Sequence, residues 1–115
     1  MERVSKSSLA AFLAYRPYSV VHLDAEWDGY RKAVNDQMHD VEQRFAQTVS
    51  FGYMDSDTEQ DYANKIGLRN VPSVAYYRGV DLFGLVVGTR QSIAQNIERM
   101  MRGEHLDETN TLSRG

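Results

Sequence analysis

The chain has 115 residues, of which 42% are hydrophobic and 25% are charged, and its formal net charge is -3. That composition is typical of one globular domain with one hydrophobic core. The acidic balance and scattered basic residues argue against nucleic acid as a partner, and no apolar run approaches the roughly 20 residues that span a bilayer. The N-terminus lacks the apolar stretch of a secretory signal, so the sequence predicts a cytoplasmic protein without a membrane partner.

The chain contains no cysteine. This absence excludes disulfide cross-links, thiolate nucleophiles, CxxC redox pairs and cysteine-ligated zinc or iron–sulfur clusters. A glycine-rich nucleotide loop and a serine–histidine–acid arrangement are also not recognisable. The sequence therefore predicts neither a cofactor nor a metal site.

The first two elements are a short helix and a buried strand. Residues 7–13, a serine pair followed by an apolar face, predict a helix. This helix should end before Pro17, because a proline disfavours helical geometry in the residue that precedes it. Residues 18–23 are a nearly continuous apolar run rich in β-branched residues, which is typical of a central strand covered on both faces.

The clearest periodic pattern predicts a helix over residues 29–46. Asp28 lies just ahead of it, where a carboxylate can accept backbone N–H bonds and complement the helix dipole. The apolar positions are spaced by four, four, three and four residues and therefore share one face. These positions are Tyr30, Val34, Met38, Val41 and Phe45.

A second strand and a short helix follow. Residues 48–54 alternate between apolar and polar side chains, as a strand does. The polar cluster at 55–58 predicts a turn, and residues 59–66 predict a helix that ends at Gly67.

The last elements are a hairpin and a helix. Strands over 73–77 and 82–87 are separated by four residues, which is long enough only for an antiparallel connection. The final helix has an inner face made of Ile93, Ile97 and either Met100 or Met101. The order of elements predicts one α/β domain over residues 1–103 with a mixed sheet between helices, followed by a polar, disordered tail over 104–115.

Three segments, in this order, resemble the thioredoxin family. Residues 25–32 read AEWDGYRK and align without gaps to the family's AEWCGPCK segment. Residues 66–73 resemble its YGIRGIPT segment, which carries a cis-proline, and residues 87–89 match its glycine-containing loop before the last helix. The resemblance implies a thioredoxin-like fold, a three-layer α/β/α domain with a mixed sheet closed by an antiparallel hairpin. The sheet has four strands, or five if the short N-terminus supplies the first.

The departures from the family fall on its redox residues. The four positions of the CxxC motif are Asp28, Gly29, Tyr30 and Arg31. His22 aligns with the family's buried acid, and Asp24 replaces an aromatic residue two positions on. Phe51 aligns with a lysine near that acid. The sequence therefore predicts a protein without disulfide oxidoreductase activity, and not an enzyme. Asp28 and Arg31 are spaced to form an ion pair on the first helical turn.

The family's cleft residues are retained. By the resemblance, Trp27 lies at the rim of the cleft, and the backbone of Val71 pairs with an extended segment of a partner, as in β-strand addition. We therefore predict a binding or chaperone-type adaptor module whose partner is a protein or an extended peptide; the oligomeric state is left open. The predicted contact residues are Trp27, Tyr30, Val71, Pro72 and Gly88.

An alternative interpretation is an enzyme with relocated acid–base or metal chemistry at Asp24, Asp28 and His22. Against it stand two simpler interpretations. The carboxylates of Asp24, Glu26 and Asp28 would form a solvated acidic loop. His22 would be a neutral core histidine bonded to a backbone group or to Asp24.

Overall fold

A computed structural model describes residues 1–106 of the chain. It contains five strands in one sheet and four helices, with the strand order β1-β3-β2-β4-β5. Strands β1, β3 and β2 are parallel, and β4 and β5 pair antiparallel at the other side of β2. The elements are β1 (Glu2–Arg3), α1 (Leu9–Tyr15), β2 (Tyr18–Asp24), α2 (Arg31–Phe45), β3 (Val49–Asp55), α3 (Gln60–Lys65), β4 (Ser73–Arg78), β5 (Asp81–Val87) and α4 (Ile93–Met101).

The sheet separates two hydrophobic clusters. Neighbouring residues of β2 face opposite sides, so Val20 packs with the buried faces of α2 and α4, whereas Val21 packs with α1 and α3. Both faces of the central strand are covered, as its continuous apolar run indicates. The predicted three-layer α/β/α fold is confirmed.

The N-terminus does supply a fifth strand, although it has only two residues. Glu2 lies opposite Gly52 and Arg3 opposite Tyr53, and the N–H of Val4 donates to the carbonyl of Tyr53 at 2.8 Å. A Cβ atom at position 52 would lie 2.6 Å from Val4 Cγ2. Glycine at position 52 therefore allows β1 to lie against β3.

Most predicted boundaries are shifted by one or two residues, and two of these shifts have a clear local cause. Helix α2 begins at Arg31 and not at 29, because residues 28–30 form a turn in which Asp28 Oδ1 accepts the N–H of Tyr30 at 3.0 Å. The hairpin between β4 and β5 has a two-residue turn in place of the predicted four, and Gly79 supplies the positive φ of 59° in that turn.

The packed part of the chain continues past α4. Met100, not Met101, is the fully buried methionine of α4. Leu106 is buried in the cluster on the α2 and α4 side of the sheet, three residues beyond the predicted domain boundary. Residues 107–115, the rest of the predicted tail, lie outside the described residues. Within residues 1–106, none of the helices is long and apolar enough to cross a membrane.

Candidate functional site

The candidate site lies where β2 ends and the chain crosses to α2. His22 and Asp24 are two residues apart on β2, so their side chains face the same side of the sheet, which is the side covered by α2. There His22 contacts Asn35 and Asp24 contacts Arg31, both residues of α2. Residues 25–30, here called the 25–30 loop, connect the two elements.

His22 is buried and neutral. Its Nδ1 lies 2.9 Å from the Oδ1 of Asn35. Because an amide oxygen only accepts, Nδ1 carries the proton and Nε2 keeps its lone pair. Burial lowers the pKa of His22 from 6.5 to about 4, which outweighs the opposite effect of the Asn35 hydrogen bond. The histidine is thus a neutral core residue, but its partner is a side chain of α2 and neither a backbone group nor Asp24, whose Oδ2 is 3.6 Å away.

Asp24 is a buried acid with one satisfied oxygen. Its Oδ1 accepts the N–H of Ala25 at 2.7 Å. Its Oδ2 lies 3.1 Å from Arg31 Nε, but that N–H is not aligned to donate to it. Burial raises the pKa of Asp24 from 3.8 to about 6, and the nearby Asp28 carboxyl raises it as well, whereas the Ala25 N–H and the Arg31 charge lower it.

Asp28, at the first position of the former CxxC motif, is also buried. Its Oδ1 accepts the N–H of Tyr30, and its Oδ2 has no hydrogen-bond partner among residues 1–106. The predicted ion pair between Asp28 and Arg31 is wrong, because Arg31 pairs with Asp24 instead. The expectation of a solvated acidic loop holds only for Glu26, which is exposed.

Among residues 1–106, three acceptor atoms of this cluster are buried without a donor. They are His22 Nε2, Asp24 Oδ2 and Asp28 Oδ2. In the described part of the chain no group of three or more histidine, aspartate and glutamate side chains is arranged to hold a metal ion.

The rim of the cleft carries two exposed aromatic side chains. Trp27 is 71% exposed, and its Nε1–H donates to Asp57 Oδ2 at 3.0 Å. Tyr30 is 69% exposed. Large apolar rings are costly to leave in water, so two of them on one loop next to a cavity are typical of a contact surface.

Val71 and Pro72 form the opposite side of this site. The peptide bond between them is cis, and the Pro72 carbonyl accepts the N–H of Gly88 at 2.9 Å. Val71 is half-buried, and neither its N–H nor its carbonyl is hydrogen-bonded within residues 1–106. The chain therefore presents one unpaired donor and one unpaired acceptor at the residue before the proline.

A cavity of about 350 Å³ joins Trp27 to Val71. Asp57, Leu68 and Arg69 also line it. Tyr30, Pro72 and Gly88 are not among its lining residues, so the five predicted contact residues are brought to one end of the molecule without sharing one cavity. A larger groove, of about 700 Å³, lies at the β3 edge between α1 and α2 and includes none of the predicted residues.

Sequence reasoning missed three residues that hold the site together. Asn35, which the helical pattern places on the polar surface, is half-buried against His22. Asp57 fixes the indole of Trp27. Gln91 is buried, and its Nε2 donates to the carbonyls of Val86 and Gly88 at 2.9 and 3.0 Å. No local pattern marks these residues, because each is defined by a partner distant in the sequence.

Comparison with known proteins places the chain among thioredoxins by family model and by fold. The family model described as Thioredoxin matches residues 2–99. Oxidised thioredoxin from Plasmodium falciparum is 19% identical, with a TM-score of 0.76, and the match covers 87% of this chain and 97% of that one. Oxidised mitochondrial thioredoxin 3 from Saccharomyces cerevisiae is 17% identical, with a TM-score of 0.75 and coverages of 90% and 94%.

A chain from a structure on the thiol resolving mechanism of yeast mitochondrial 1-Cys peroxiredoxin is also similar. It is 17% identical, with a TM-score of 0.73 and coverages of 90% and 94%. At these identities the likeness concerns the fold. No curated protein matches the chain significantly.

Proposed function

Because the chain belongs to the thioredoxin family and contains no cysteine, we propose that it is a redox-inactive binding module that holds an extended protein segment in the cleft between Trp27 and Val71. The cysteines that would exchange disulfides are absent, so the activity proposed for the site is noncovalent binding. A thioredoxin-like fold alone sets no function, and the proposal depends on the site.

The unpaired backbone of Val71 carries this proposal. A donor and an acceptor on one residue, next to a cavity, are what β-strand addition requires from a receptor. The main chain of the ligand would bond to Val71, and its alternate side chains would enter the cavity beside Trp27. Two exposed aromatic rings on the 25–30 loop would add apolar contact.

A displayed library of random decapeptides, selected on the intact protein, tests the proposal. We expect selected peptides to shift the NMR signals of Val71 and Trp27 on binding. Trp27→Ala should weaken their affinity by about tenfold or more, as loss of a central aromatic contact does.

Tyr15→Ala is the matched control, because Tyr15 is 76% exposed and lies on α1, away from the cleft. It should leave affinity unchanged. Equal affinity for the wild type and for Trp27→Ala, or signal shifts confined to another surface, would contradict the cleft as the binding site.

We do not extend the proposal to acid–base or metal chemistry at Asp24, Asp28 and His22. Within residues 1–106 the unpaired atoms of these residues are buried, and that burial does not favour contact with a substrate.

A further inference from the structure

The buried cluster beneath the 25–30 loop has an excess of acceptors. His22 Nε2, Asp24 Oδ2 and Asp28 Oδ2 are each buried without a donor, and each belongs to a side chain that is at least nine-tenths buried. Buried polar atoms nearly always have a hydrogen-bond partner, because leaving one unsatisfied costs roughly 1–3 kcal/mol. Three such atoms in one cluster therefore require an additional donor.

One proton would satisfy two of these atoms together. A carboxylic acid has one O–H donor, and a carboxylate only accepts. A side-chain hydrogen bond with Asp28 is among the interactions that favour the protonated form of Asp24. We propose that Asp24 and Asp28 share a single buried proton, and that this proton holds the 25–30 loop in the conformation that presents Trp27.

The surrounding charges agree with a proton at this position. From α2, Arg31 is the one cation in contact with Asp24, and from β2, His22 is held neutral. Arg3 of β1, Glu26 of the loop and Asp55 of β3 line a cavity of about 70 Å³ beside Asp24, together with Arg31. Two ionised aspartates would thus be buried with one guanidinium in contact, and a shared proton restores the balance of one negative and one positive charge.

The loop is tied to this pair at both ends. Asp24 Oδ1 accepts the N–H of Ala25, where the loop begins, and Asp28 Oδ1 accepts the N–H of Tyr30, where it ends. Trp27 immediately precedes Asp28. When the proton leaves, two like charges remain in a poorly hydrated space, and the mobile partner is Asp28, because Asp24 is the last residue of a central strand. Movement of Asp28 toward water would carry Trp27 with it.

The direct test is a pH titration of the side-chain carboxyl carbons by NMR on the intact wild-type protein. We expect the Asp24 signal to titrate near pH 6 and the Asp28 signal to respond to the same event, so that both report one common step. Asp28→Asn should abolish that common step and return Asp24 to a simple titration. Titration of Asp24 near the ordinary aspartate value of about 3.9, with no response of the Asp28 signal to it, would overturn the proposal.

The second test uses Trp27, the one tryptophan of the chain, as a fluorescent reporter. In the wild type its emission should change with the same midpoint as the carboxyl step, and in Asp24→Asn and Asp28→Asn that change should be absent. Asp57→Asn is the control, because Asp57 contacts the indole directly but lies outside the pair. Asp57→Asn should keep the pH-dependent change in emission. Loss of that change in Asp57→Asn alone would contradict the proposal.

The effect on peptide binding rests on the proposed function of the cleft, whereas the two titrations do not. Peptide affinity should fall as pH rises through the step in the wild type and stay constant in Asp24→Asn. A protein that shows the common step but binds no peptide would refute the proposed function and leave the shared proton intact. Peptide binding without the common step would refute the shared proton and leave the proposed function intact.

Discussion

At the scale of single residues, His22 and Asp24 change their proton affinity in opposite directions on folding. Burial lowers the pKa of His22 to about 4 and raises that of Asp24 to about 6. Between those values the unfolded chain binds a proton at residue 22, and the folded chain binds one at residue 24. Since stability depends on the difference in bound protons, the two effects offset each other in this window.

Single substitutions should reveal how each of the two residues makes the free energy of unfolding depend on pH. In Asp24→Asn only the histidine remains, so the free energy of unfolding should fall as pH drops from about 6.5 to 4, because the unfolded state alone takes up the proton. In His22→Gln it should fall as pH rises from about 3.8 to 6, because the proton on folded Asp24 is lost.

Each change should amount to roughly 1–3 kcal/mol. Urea unfolding at a series of pH values measures it, and the wild type, which should vary much less over the same window, is the reference. Parallel pH profiles for the wild type and both variants would contradict the offset.

The residues at the positions of the family's CxxC motif predict that the protein does not catalyse disulfide reduction. Asp28 can occupy the helix entrance that favours an anion, but it has no sulfur atom that could attack a disulfide and form a mixed disulfide. We expect the pure protein to add nothing to the rate at which dithiothreitol reduces insulin. A cysteine-containing thioredoxin is the positive control. Any acceleration above the dithiothreitol background would contradict the predicted absence of disulfide reductase activity.

At the scale of elements, the two-residue strand β1 depends on Gly52 of β3. Strand β1 pairs with β3 at Gly52 and Tyr53, and a Cβ atom at position 52 would lie within 2.6–3.0 Å of Val4, the backbone of Glu2 and the ring of Phe12. Backbone atoms and a β-branched side chain cannot move aside as a flexible side chain would. The contact between β1 and β3 therefore requires glycine at this position.

Gly52→Ala should accordingly lower the free energy of unfolding by about 1–3 kcal/mol and detach β1 from the sheet. Gly29→Ala is the matched control, because within residues 1–106 no heavy atom other than those of its chain neighbours lies within 4 Å of its Cβ position. It should change stability by less than about 0.5 kcal/mol. Chemical denaturation measures both, and amide exchange at Val4 and Tyr53 reports whether β1 is lost.

At the scale of the whole molecule, one sheet supports both hydrophobic clusters. Strands β2, β3 and β4 contribute side chains to each cluster, so loss of packing on one face removes support from the other. The same architecture is found in two thioredoxins that are 17% and 19% identical to this chain. The fold thus tolerates replacement of its redox site, because the packing between layers does not depend on the cysteines.

The shared sheet predicts a single cooperative unfolding transition. Far-ultraviolet circular dichroism, which reports secondary structure, and near-ultraviolet circular dichroism of the buried tyrosines Tyr76 and Tyr77, which lie on opposite faces of β4, should give coincident curves in urea. Separate midpoints would show that side-chain packing and secondary structure are lost in different steps, which would contradict a single cooperative transition.

Much of the fold could be predicted from the sequence, because it depends on patterns formed by residues that are close together along the chain. The helical spacing from Tyr30 to Phe45, the apolar run of β2 and the short hairpin connection are patterns of neighbouring residues, and together with the quoted motifs they gave the thioredoxin-like fold. Complete absence of cysteine is likewise a property of the sequence alone, and it removes disulfide exchange whatever the structure.

The tertiary structure alone decided the partners of the polar residues. Residues 24, 28 and 31 are close in the sequence, yet Arg31 contacts Asp24 and not Asp28, because Asp24 faces α2 from the end of β2 whereas Asp28 turns back to bond Tyr30. Asp24 and Asp28, two of the three carboxylates that look solvated in the sequence, are buried in the folded chain, whereas Glu26 is exposed. Burial depends on elements that meet in space, and so do the pKa values and unpaired acceptors that follow from it.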